Sequence, residues 1–108
     1  MLSGKHASIN LIRFNNMKII VVLSEKMSYT GRWAQDRIEK AEKDGESRFK
    51  YYCHRSELAN DKERIIFVTP ATIDKIRGLR IHSFIELGSP YWDEHYKKAV
   101  DLLNSQIE

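Results

Sequence analysis

A chain of 108 residues, 42% apolar and 31% charged, has room for one domain with one core and carries too much apolar material to stay unfolded. Its net charge of +3 arises from 18 basic and 15 acidic residues largely interleaved in sign, which permits an acidic or nucleic-acid partner without demanding one. A single cysteine, Cys53, excludes an internal disulfide framework and fits a reducing, cytoplasmic setting, and no apolar run approaches the length of a membrane span.

Residues 1–16 hold Lys5 and Arg13 but no continuous apolar stretch, so they read as an N-terminal extension and not a signal peptide. A single α/β domain is expected over 17–108, beginning at Met17 as an internal start; the rival reading makes an edge strand of 8–14. Residues 18–23 form an unbroken, largely β-branched run, the pattern of a strand covered on both faces. After a polar loop, Trp33, Ala34, Ile38 and Ala41 recur at helical spacing over 31–43, with Asp36/Lys40 and Glu39/Lys43 on the other face. Asp44-Gly45 ends that helix.

Residues 48–54 alternate Phe49, Tyr51 and Cys53 against Lys50, Tyr52 and His54, predicting a half-exposed strand with Cys53 inward and Tyr52 outward. Residues 56–62 are polar, with room for one helical turn. A second buried strand follows at 64–68. Thr69 then caps a short helix with Pro70 at its first position, and Gly78 stops it. A fourth strand is expected at 81–87, and Ser89-Pro90 opens a last helix with Trp92, Tyr96, Ala99, Val100 and Leu103 as its buried stripe. The order predicts a small three-layer α/β sandwich, with a mostly parallel four-stranded sheet and helices on both faces. Such sheets bind ligands at the carboxyl ends of their strands.

The loop after the first strand, Ser24-Glu25-Lys26-Met27-Ser28-Tyr29-Thr30-Gly31-Arg32-Trp33, is the natural phosphate position of that architecture. Gly31-Arg32 stands where a P-loop has Gly-Lys, the fourth strand carries Glu86 near its end, and Ile76-Arg77-Gly78-Leu79-Arg80 leads into it. On these residues the chain, over 17–87, resembles the core of P-loop NTPases of the helicase and phage-terminase type. The resemblance implies phosphate or ligand contacts by Lys26, Thr30, Gly31 and Arg32, a metal-facing acid at Glu86, and a phage-encoded setting. The sequence departs from the pattern at Trp33, which takes the hydroxyl position, and at Leu87, which takes that of the catalytic carboxylate. Arg32 also lacks the compact ammonium of lysine. These departures imply a degenerate, non-hydrolysing core.

Two further features point to partners. Tyr52, flanked by Lys50 and His54 on the outward alternation, reads as an interface anchor, and Lys75, Arg77 and Arg80 form the densest basic cluster. No metal site or cofactor is expected: Cys53 and His54 face opposite sides of a strand, His82 and His95 belong to different elements, and no HExxH or CxxC spacing occurs. The expected function is a non-catalytic accessory or inhibitory module with a protein partner. The alternatives are a nucleic-acid-binding accessory protein using Arg32, Lys75, Arg77 and Arg80, and an atypical nucleotide-binding enzyme.

Overall fold

The computed structural model of the protein describes residues 17–87 and 93–107. The expectations for residues 1–16, including the strand at 8–14, and those for Ser89, Pro90 and Trp92 lie outside these residues. The described elements are β1 (Lys18–Ser24), α1 (Thr30–Lys43), β2 (Lys50–Tyr52), β3 (Glu57–Ala59), β4 (Glu63–Val68), β5 (Ser83–Leu87) and α2 (Glu94–Gln106). Three 3-10 segments join them: Met27–Tyr29, Cys53–Arg55 and Pro70–Ile76. Among the described residues no helix is long and apolar enough to cross a membrane.

The sheet has five strands in the order β2-β3-β4-β1-β5. β1 pairs in parallel with β4, from Lys18↔Glu63 to Leu23↔Val68, and with β5, from Ile20↔Ser83 to Ser24↔Leu87. β3 runs antiparallel to both β2 and β4. The expected four-stranded, mostly parallel sheet is therefore corrected to a mixed one of five strands. The strand that sequence pattern misses is Glu57-Leu58-Ala59, which is too short, with one large aliphatic side chain, for a period of two to register. Its reversal into β4 is built by Asn60, whose Oδ1 accepts from the Lys62 and Glu63 amides at 2.9 and 2.8 Å.

Two neighbouring expectations change with it. Of the strand expected at 48–54, only Lys50–Tyr52 joins the ladder; the chain then winds through the 3-10 turn to Ser56 at φ 49°. Cys53 consequently lies exposed in that turn instead of in the core. The short helix after Thr69 is a 3-10 segment, capped as its residues predict by a reciprocal Thr69–Thr72 box, with Gly78 beyond it at φ +86°. β5 starts at Ser83, two residues late, because Ile81 bridges to Ile107 beyond α2 and the His82 amide donates to the Ile19 carbonyl at 2.8 Å.

Helices cover both faces, as expected. On one side Ala41 of α1 packs with Phe49, Val22, Leu58, Ile65 and Phe67, and the Trp33 ring meets Phe67 edge-on at 5.8 Å. On the other, Tyr96, Ala99 and Leu103 of α2 and Ile76 of the 3-10 segment cover Val21, Leu23, Ile66 and Val68. That second cluster contains no residue of β2 or β3 among the described residues. Where the apolar layer ends, a bidentate ion pair takes over. Arg64 Nε and Nη2 donate to the two carboxylate oxygens of Glu57 at 2.9 and 2.7 Å, and Glu57 is only 4% exposed.

The Arg64 hydrogen bonds, outweighing the cost of burial, hold the Glu57 carboxyl below the ordinary glutamate range, and Arg55 and Lys75 lower it further. Because the folded value lies below the unfolded one, the contribution of Glu57 to stability is complete above about pH 4.3 and is lost as the pH falls through the lower folded value. We expect Glu57→Gln to cost about 3 kcal/mol in denaturant unfolding at neutral pH, since it strands the Arg64 charge. Replacing both partners, Glu57→Leu with Arg64→Leu, is expected to recover most of that loss. A double variant as unstable as the single one would show that another contact holds β3 in place.

Candidate functional site

Because β3 runs antiparallel to β4, the turn joining β2 to β3 sits at the carboxyl end of β4, where the Phe67 amide donates to the Ser56 carbonyl at 3.0 Å. That end of the parallel strands is where ligands of open α/β sheets bind. Tyr52, the last residue of β2, lies half-buried there. The Arg55 guanidinium stands 4.4 Å and the Lys50 ammonium 5.4 Å from the centroid of its ring. Lys75, from the 3-10 segment after β4, donates to the Arg55 carbonyl at 2.6 Å. Glu57 is already matched by Arg64, so Lys50, Arg55 and Lys75 bring positive charge to this corner.

The opposite face of β2 offers a different surface. Tyr51 is 52% exposed and lines a groove of about 330 Å3 with Thr30, Gly31, Gln35, Ile38 and Phe67, along the seam between α1 and β2. Sequence alternation puts Tyr51 on the same side as the buried Phe49, and its face is right. Its burial is not, because β2 is the edge strand and α1 covers it only in part.

The other expected site residues divide. Tyr52 and Lys75 come together at the corner, although Tyr52 is clasped by two cations where sequence reading has it fully outward. Arg77 pairs with its own neighbour Asp74 at 2.7 Å, and Arg80 lies near the amino end of β5 beside Ser105 and Gln106 of α2. Of these three, Lys75 is hydrogen-bonded into the corner, through the Arg55 carbonyl. Lys26, Gly31 and Arg32 are exposed around the start of α1, while the Thr30 hydroxyl donates to the Met27 carbonyl at 2.6 Å. Glu86 belongs to the α2 side of the sheet, where its carboxylate accepts from the Tyr96 hydroxyl at 2.8 Å. α1 covers the other side, so Glu86 and residues 30–32 are not brought to one face. Arg55 carried no signal in the sequence; Lys50 did, since its spacing from Tyr52 puts both on one face of a strand.

Among the described residues no group of three or more His, Cys, Asp or Glu side chains is arranged to hold a metal ion. Among the described residues, the Tyr96 hydroxyl is strongly perturbed. Burial first, then the Glu86 hydrogen bond and the charges of Glu86 and Glu25, push its pKa up to about 12. A raised value favours the neutral phenol in the folded state, so its contribution is complete below about pH 10 and is lost as the pH climbs toward 12. Absorbance titration is expected to show Tyr96 as a late-ionising phenol, absent in Tyr96→Phe, with that variant about 1 kcal/mol less stable at neutral pH. An unchanged titration curve would place the late phenol elsewhere.

Comparison with protein-family models, with curated proteins and with solved structures gives no match to this chain.

Proposed function

We propose that this chain is a non-catalytic binding module whose contact surface is the β2–β3 corner at the carboxyl edge of the sheet. The observation that carries the reading is the preassembled cluster in which Arg55 and Lys50 rest on the Tyr52 ring and Lys75 is tied to the Arg55 carbonyl. Side chains held in place before binding lose less freedom on contact, which favours recognition. Tyrosine and arginine are also the residue types that dominate contact energies.

The degenerate character of the P-loop-like segment supports binding over catalysis. Trp33, at the position of the magnesium hydroxyl, packs on Phe67, and Leu87, at that of the catalytic carboxylate, packs into the α1-side core. The hydroxyls of Ser24 and Thr30 donate to the main-chain carbonyls of Lys26 and Met27. Phosphoryl transfer depends on groups positioned for the metal and the attacking nucleophile, and these side chains serve the fold.

The test is site-specific photocrosslinking in cells that produce the protein. A benzophenone side chain at position 54, exposed in the turn between β2 and β3, is expected to give adducts, while one at position 97, on the exposed face of α2, is expected to give few. Equal yields at the two positions, or adducts from 97 alone, would refute the corner as the contact surface. In parallel, ATP and GTP with magnesium are expected to show no turnover above background; turnover abolished by both Arg32→Ala and Glu86→Ala would restore the enzyme reading.

A further inference from the structure

The α2 side of β2, β3 and β4 has an unusual make-up for a sheet face. Lys50 and Tyr52 stand on β2, Glu57 on β3 and Arg64 on β4, and the apolar cluster under α2 takes nothing from β2 or β3 among the described residues. Arg55 borders that face from the turn and Lys75 from the 3-10 segment, joined by the 2.6 Å bond to the Arg55 carbonyl. The Arg55 guanidinium in turn stands 4.4 Å from the centroid of the Tyr52 ring, and both cations lower the Glu57 carboxyl further.

Resting on the reading of this corner as a binding surface, we infer that its partner is a single-stranded nucleic acid, with phosphates on Lys50, Arg55 and Lys75 and a base stacked on Tyr51. Protein interfaces are built around an apolar centre and are depleted of lysine. Here two of the three cations are lysines, and the surface beneath them is an ion pair. A polyanion is the partner whose chemistry suits that surface. Tyr51 makes the choice between nucleic acids. It is adjacent to Tyr52 on the edge strand and therefore turned to the opposite face, with half its area open to solvent. A chain passing over the edge of β2 leaves phosphates on the cationic side and offers a base to the Tyr51 ring on the other. Only an unpaired base is free to do so, which selects a single strand over a duplex.

Fluorescence anisotropy with labelled 20-nucleotide oligo(dT), oligo(U) and a 20-base-pair duplex tests this directly. We expect the single strands to bind more tightly than the duplex. Three phosphate contacts give a slope of log K against log salt of about −2, and each of Lys50→Ala, Arg55→Ala and Lys75→Ala is expected to reduce its magnitude by roughly 0.7. Tyr51→Ala is expected to weaken single-strand binding about tenfold with the slope unchanged. Lys43→Ala, at the far end of α1, is expected to have no effect. Circular dichroism melting of each variant separates lost contacts from lost fold, and Lys50→Glu supplies a second charge variant. Absence of binding at 25 mM salt, equal or tighter binding of the duplex, equally tight binding of poly-glutamate, or indifference to all three cation variants would each overturn the inference. Crosslinking from position 54 to a protein, with no oligonucleotide binding, would overturn it while leaving the binding-module reading intact; loss of both results would remove the two together.

Discussion

A central strand buried on both faces needs two covering layers, and in this protein the two differ in width. Val21, Val22, Leu23 and Ser24 of β1 have no exposed surface, so each face of the sheet must be sealed along its middle. The α1 layer extends outward to Leu58 of β3 and to Phe49 just before β2, whereas the α2 layer ends at β4. The difference leaves one face of the outer strands without apolar cover. An isolated carboxylate there would pay heavily for burial, and Glu57 is tolerated because Arg64 meets both of its oxygens. The polar outer face and the cationic corner on it both follow from this mismatch in width.

Gathering like charges works against folding, yet the magnitudes here are small. Two exposed cations several ångströms apart repel by about 1 kcal/mol in a water-like dielectric. A cation over a tyrosine ring contributes about 0.5–1 kcal/mol, and Tyr52 carries two. The Glu57 carboxylate nearby offsets part of the remainder. The free protein therefore tolerates a positively charged corner at small cost, and negative charge from outside relieves what repulsion remains. An uncovered edge strand also invites pairing with other strands, and the shortness of β2 and the charge of Lys50 are features that discourage it.

How far the sequence carries depends on the length of each signal. β1 and β4 each hold a continuous apolar run, residues 19–23 and 65–68, and α1 holds an apolar stripe over several turns, so their existence and faces were readable. β3 was not, because three residues give no period; its one local cue is Asn60, a turn former whose role appears only once both flanking strands are known. The same limit governs the site. Tyr52 and Lys75 were legible singly, but their meeting depends on the reversal at β3 that brings the turn back to the carboxyl end of β4. Arg55 became significant only through the 3-10 turn that lays it over the Tyr52 ring. Arg77 is exposed in the structure as its sequence surroundings suggest, with Asp74 three residues earlier as an ion-pair partner.

The 3-10 turn that ends β2 also places Cys53, the chain's one thiol, on the surface beside Tyr52. Any chemistry selective for cysteine is therefore confined to this corner. A thiol-reactive dye attached to the natural sequence would sit next to the clasped tyrosine and report on its surroundings without prior engineering. An oxidative link between two copies would press the same corner of each against the other, setting self-association in competition with whatever else reaches that surface.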